Sequence, residues 1–196
     1  GTKPASAWDA SVFSAAAERA RAMAERGREV AVDHYLLRDE YHLRAPGKDL
    51  TKDDSPPTLA AFRAFLKQDY AGLETLNAEW ETAFTAWEEV GRPEPKNGPG
   101  WNDWQAFWDT YMVKHMAVTR EAVQQVNPQG KVGMSGCQRP GDGKGWDWWL
   151  LMKEAAYFHR YNHFQEDWIN SFGSDEVVQG QWFGYLASRE VDAQYH

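Results

Sequence analysis

The sequence predicts an α/β fold of parallel βα units. Helical and strand-like segments alternate in the order helix, strand, helical insertion, long helix, strand, helix, strand. The first strand segment is a short, mostly apolar run, as expected of a strand buried on both faces. The composition is globular, with 42% hydrophobic and 26% charged residues over 196 positions, enough for one domain with a sizeable core.

Residues 9–26 read as a helix, because Phe13, Ala16, Ala17, Ala20, Met23 and Ala24 recur at three- and four-residue steps, with Asp9 as cap and Gly27 as stop. Residues 28–37 read as a strand through Val30, Val32, Tyr35, Leu36 and Leu37, ending in the polar cluster Arg38, Asp39, Glu40, Tyr41 and His42. Residues 44–57 read as loop, with Pro46, Gly47 and a charged stretch. Ser55 before Pro56 and Pro57 opens a helix over 57–69, and Gly72 starts another through Leu73, Leu76 and Trp80. Residues 91–100 hold three prolines and three glycines and form a second loop.

The longest helix is expected over 102–126, where Trp104, Trp108, Tyr111, His115, Val118, Ala122 and Val126 make one stripe, closed by Asn127 and Pro128. Residues 131–136 read as a strand, 138–145 as a glycine-rich loop, 146–160 as a helix, 162–172 as a further helix and 176–183 as a strand. No repeat or low-complexity segment accompanies this alternation.

Composition narrows the function. A net charge of −8 without a basic stripe is a poor match for nucleic acid or an anionic membrane, and no apolar run is long enough to span a bilayer. The single cysteine, Cys137, excludes an internal disulfide framework and any multi-cysteine zinc site. It does not fix the compartment. Eleven tryptophans have two readings, a bulky core or indoles lining a sugar site. The first residues lack a signal-peptide pattern, and the last show no helix stop or tail composition.

In α/β folds, functional groups gather at the carboxyl ends of parallel strands. Asp39 and Glu40 close the first strand. Glu40 reads either as a general acid or as one charge of a solvated loop. His159 and His163 share one face of an expected helix, with Glu166 near. They lack the His-Glu-x-x-His signature, and neither a metal nor a cofactor is assigned. Cys137 has no local histidine or asparagine partner that would make it a nucleophile. The acidic run Asp49 to Asp54 reads as solvated loop.

A longer pattern adds to this. The run Phe62-Arg63-Ala64-Phe65-Leu66-Lys67-Gln68-Asp69-Tyr70 is followed by Gly72, Leu73, Leu76, Asn77 and Trp80, then Thr82, Phe84 and Trp87. It resembles the segment after the fourth barrel strand in glycoside hydrolase family 42, the β-galactosidase-like enzymes. The match is specific over 62–87 and looser over 28–41 and 101–185. The resemblance implies part of a (β/α)8 TIM-type barrel of the retaining clan, with a helical insertion after its first visible strand. Residues 28–37, 131–136 and 176–183 would be strands four, five and six. The chain would be one partial barrel domain over 1–196. Residues 28–43 would hold the strand and acid/base loop, 44–100 the insertion and 101–196 the following βα units. Glu40 would be the acid/base. The family usually has asparagine before that glutamate, where this chain has Asp39. The family's nucleophile is a glutamate at the end of strand seven, which no residue here is expected to fill. The remainder of the barrel would come from the same or another chain.

Asp39, Tyr41, His34, Trp182 and Tyr185 are the candidate substrate-binding residues around Glu40. Trp182 is the stacking platform on this reading, and a core indole on the other. The expected function is a retaining β-glycoside hydrolase acting on a carbohydrate, incomplete in this chain. The alternatives are a degenerate barrel that binds glycan without cleaving it, and an assembly fragment that needs a partner chain.

Overall fold

The computed structural model describes residues 6–181, apart from 33, 46–47, 96–97, 140–144 and 162. Four strands form one parallel sheet in the order β1 (His34–Asp39), β4 (Lys131–Ser135), β5 (Tyr157–Arg160), β6 (Val178–Gln181). A two-stranded hairpin, β2 (Arg44–Ala45) and β3 (Lys48–Asp49), follows β1. Helix α1 (Ala10–Arg28) precedes β1, and α2 (Pro56–Asp69) and α3 (Leu73–Trp80) form the insertion. The long α4 (Gly98–Gln124) leads back to β4, α5 (Trp148–Leu151) precedes β5, and α6 (His163–Phe172) precedes β6. Sequential parallel strands joined through helices form part of a (β/α)8 barrel.

Local chemistry explains most boundaries. Asp9 caps α1 by accepting the Ser11 amide at 2.8 Å. Pro56 begins α2, where a missing N–H costs nothing. The Ser55 hydroxyl caps nothing and instead reaches the Ser6 hydroxyl at 2.6 Å.

Several expectations need correction. The strand expected over 28–37 is His34–Asp39, because α1 runs on to Arg28. The segment 44–57 is not all loop: it holds the β2–β3 hairpin and a 3-10 turn at Leu50–Lys52. The segment 146–160 is not one helix, for only Trp148–Leu151 is α-helical and Tyr157–Arg160 is a strand. Its apolar spacing satisfies a helix, but the Ala156 amide bonds the Val132 carbonyl at 2.9 Å and the segment pairs on both sides. Tertiary pairing overrides local periodicity here. Gly133 makes the pairing possible, because a Cβ there would lie 1.8 Å from the Tyr157 carbonyl oxygen. With β1 in fourth place, β4, β5 and β6 take the fifth, sixth and seventh. If the resemblance numbers β1 correctly, the strand at 178–181 is seventh rather than sixth, because β5 lies between it and β4.

The core is aromatic and lies along α4. Trp104, Phe107, Trp108, Tyr111 and Met112 are buried, and Trp8 stacks on Phe107 with centroids 4.6 Å apart. Four of the tryptophans, 104, 108, 146 and 148, are buried core, so the bulky-core reading accounts for much of the indole content.

The 62–87 pattern is a structural brace. Tyr70 Oη and Trp80 Nε1 both donate to the Asp103 carboxylate, at 2.7 and 2.8 Å, which pins the insertion to α4. Asn77 holds the following turn through Phe84 and Thr82. Arg63 donates to the Val90 and Glu88 carbonyls, at 2.9 and 2.6 Å. Lys67 lies over the Trp87 ring.

Candidate active site

The carboxyl ends of the parallel strands lie in register: Asp39 pairs with Ser135, Ser135 with His159, and His159 with Gly180. A bulge between Leu36 and Asp39 re-aims the end of β1. Glu40 follows with φ 44°, in the left-handed region that non-glycine residues avoid. Its amide donates to the Ser135 carbonyl at 3.1 Å.

Gly136, at φ 62°, lies under this turn. A Cβ on it would come within 2.6 Å of Glu40 Cγ and 2.7 Å of Asp39 Oδ1. The two carboxylates rest on a bare backbone that only glycine offers. Glu40 is solvent-exposed, and the Tyr161 hydroxyl donates to its Oε1. Tyr161 follows β5 directly. Its amide donates to Gln165 Oε1 at 2.8 Å, while Gln165 Nε2 donates to the Cys137 carbonyl at 2.6 Å. Gln165 is 1% exposed, so a buried amide clamps the ends of β4 and β5 together.

The structure thus brings Asp39 and Glu40 together with Tyr161, Gly136 and Gln165, which sequence reasoning did not single out. Tyr161 falls between the two helices expected over 146–160 and 162–172, and Gln165 lies within the second, which the structure forms as α6. A tyrosine directly after a short run rich in aromatic residues was the available signal.

His34 and Tyr41 do not join this group. His34 begins β1, about 16 Å along the strand from Asp39 at ~3.3 Å per residue, and its ring packs edge-on to Tyr157 at 5.2 Å. Tyr41 turns toward α4. Its ring lies 6.2 Å from His115 and 5.1 Å from the Arg38 guanidinium, and burial raises its phenol above the usual range. Trp182 and Tyr185 lie outside the described residues. Cys137 is buried, and burial pushes its thiol up to about 12, which opposes formation of the thiolate. His159 is on β5 and His163 on α6, so the two do not share a helix face. Among the described residues no group of three or more His, Cys, Asp or Glu side chains could hold a metal ion. No helix among them is long and apolar enough to cross a membrane.

Two carboxylates at the end of a parallel strand, one held by a tyrosine hydroxyl, can give or take a proton and accept hydrogen bonds from hydroxyl groups. The family model for β-galactosidases of glycoside hydrolase family 42 matches residues 5–181. The chain belongs to glycoside hydrolase family 42. No curated protein sequence matches at a significant level. The fold is similar to that of a β-galactosidase from the psychrophilic Marinomonas ef1, at 15% identity and TM-score 0.60, covering 80% of this chain and 24% of that one. It is also similar to the catalytic domain of a β-amylase from Paenibacillus polymyxa, at 14% identity and TM-score 0.65, covering 99% and 62%. An exo-β-agarase matches at 17% identity and TM-score 0.60, covering 85% and 26%. The family 42 chain spans about a quarter of the length of the Marinomonas β-galactosidase. These likenesses show the barrel fold of this family 42 member.

Proposed function

We propose that this family 42 chain carries the acid/base half of a retaining β-glycoside hydrolase, with a β-galactoside or related glycan as substrate. Glu40 is the acid/base. Its position supports this reading: an exposed carboxylate at the end of β1, fixed over Gly136 and bonded by the Tyr161 hydroxyl. In a retaining mechanism one carboxylic acid protonates the glycosidic oxygen as a second carboxylate attacks the sugar, and the first then deprotonates water. Asp39, beside Glu40, is placed to accept a hydrogen bond from a sugar hydroxyl. Trp182 and Tyr185 follow β6 in sequence and enter this reading as sugar-binding residues on that ground alone. With β6 in seventh place, the nucleophile belongs at or beyond residue 182, and Glu190 is the first carboxylate there in sequence.

Glu40→Gln in the full-length native protein tests the assignment. Turnover of an unactivated β-galactoside is expected to fall by about 10²–10⁴. An activated aryl galactoside should retain its first step, and added azide should restore turnover by forming a β-galactosyl azide. Unchanged hydrolysis in the variant would remove Glu40 from the mechanism. A native protein that binds galactosides without releasing reducing sugar would make the barrel a binding module.

A further inference from the structure

A polar cavity lies between the β2–β3 hairpin and the start of α4. Its volume is about 600 Å³, and Arg44, Lys52, Arg92, Trp101, Asn102 and Gln105 are among its walls. Strand β1 runs into the hairpin, and α4 runs back toward the start of β4. The start of α4 therefore belongs to the same end of the barrel as Glu40.

Three cationic side chains meet here in a chain whose net charge is −8. One carboxylate, Asp49, also lines the cavity, and it is already engaged. Its Oδ1 accepts from the Thr51 amide at 3.1 Å and the Thr51 hydroxyl at 2.6 Å. Arg44 Nε and Lys52 Nζ lie 3.8 and 3.9 Å from its oxygens. Arg92 has a buried Nε without a hydrogen-bond partner among the described residues. That nitrogen is closed off from the cavity, so a bound oxyanion would meet the guanidinium through its terminal nitrogens.

The walls are fixed. Trp104 Nε1 donates to the Thr51 carbonyl at 3.0 Å, which ties the hairpin side to α4. Arg44 Nε donates to the Thr51 hydroxyl at 3.0 Å. Val90, fully buried and held by Arg63, anchors the chain two residues before Arg92. Trp101 adds an aromatic wall, with the Arg44 guanidinium 5.8 Å from its ring centroid. Asn102 and Gln105 add amide groups for hydroxyls.

We infer that this cavity is an accessory subsite for an oxyanion substituent, a sulfate ester or a carboxylate, carried by the glycan. The inference rests on the glycan-hydrolase reading for the identity of its ligand. The cations take the oxyanion, and Trp101 and the amides take the sugar that bears it.

The test is calorimetric binding to the full-length protein at low salt. The probes are a neutral galactan oligosaccharide, its sulfated counterpart, a uronate-containing counterpart and inorganic sulfate. At least one charged oligosaccharide is expected to bind about tenfold tighter than the neutral one, with the preference shrinking as salt rises. Which of the two does so identifies the substituent. Arg92→Gln and the more exposed Lys52→Gln are each expected to cut that preference several-fold. Equal affinities for charged and neutral oligosaccharides would overturn the proposal, as would a preference that both variants leave intact. Binding of inorganic sulfate alone would reduce the cavity to a free-anion site and overturn its glycan role. A charged-glycan preference that depends on Arg92, in a protein whose hydrolysis survives Glu40→Gln, would uphold the subsite and sink only the acid/base assignment.

Discussion

Two side chains set how this protein meets acid. His115, 6% exposed among Phe13, Tyr41 and Tyr111, is held neutral: burial first, then the charges of Arg38 and Arg19, lower its pKa to about 4 from the usual 6.5. The unfolded chain protonates this imidazole first, so stability is full above about 6.5 and falls as pH drops toward 4. Asp53 acts in a lower window. Burial opposes its charge, but hydrogen bonds from Thr58, Ser55 and the Ala7 amide outweigh that and lower it to about 2. Its contribution is present above the ordinary value of 3.8 and is lost as pH falls through about 2. Urea unfolding at a series of pH values should show both losses. Asp109 has a raised carboxyl that acts in the opposite direction over about 4 to 6, so the comparison is made in an Asp109→Asn background: there His115→Gln should flatten the profile between 4 and 6.5 and leave the lower limb, and Asp53→Asn should do the reverse. A profile flat from 6.5 to 4 in that Asp109→Asn background would refute the buried neutral histidine.

At the scale of elements, an acidic pair joins α4 to α5. Asp109 on α4 accepts the Gly145 amide at 3.1 Å, while Asp147 caps α5 through the Leu150 amide at 2.9 Å. Burial, and then the charge of Asp147, raise Asp109 to about 6. A raised carboxyl destabilises the fold as pH climbs from about 4 through 6. Asp109→Asn keeps an acceptor for Gly145 and removes the repulsion. Its melting temperature should exceed wild type by about 2–4 °C at pH 7.5, where ~1 kcal/mol moves a domain of this size by that much, and match it near pH 4. A lower melting temperature at pH 7.5 would mean that the charge itself holds the loop.

These elements also show what the sequence could tell. The stripe from Trp104 to Ala122 gave α4 because one helix face alone fills the core. The 62–87 pattern was legible as a resemblance, and in the structure its polar residues brace specific carbonyls and a carboxylate. Strand β5 was not legible. Its four residues are short, and only the pairing with β4 and β6 distinguishes them from a helix end. The place of Glu40 at the end of β1 was legible from the apolar run before it. Tyr161, Gln165 and Gly136 were not, because they reach Glu40 or its supporting strand ends across the sheet, between residues far apart in sequence.

For the whole molecule, the strand order decides what the chain needs from its surroundings. Among the described residues β1 pairs with β4 alone, so β1 is an edge strand of the described sheet. Leu36, in the middle of that strand, is 43% exposed. A closed barrel has no such edge, and an apolar side chain on an open edge invites another strand. The 196 residues produced alone should therefore associate, eluting from a sizing column well above 22.4 kDa at micromolar concentration. Leu36→Lys should reduce that association, because a charge on an open edge opposes strand addition. Exchange of the β1 amides should be fast in the isolated chain and slow in the full-length protein. A monomer that melts cooperatively, with β1 protected, would show that this portion of the barrel closes its own edge, and the expectation that it depends on further strands would be lost.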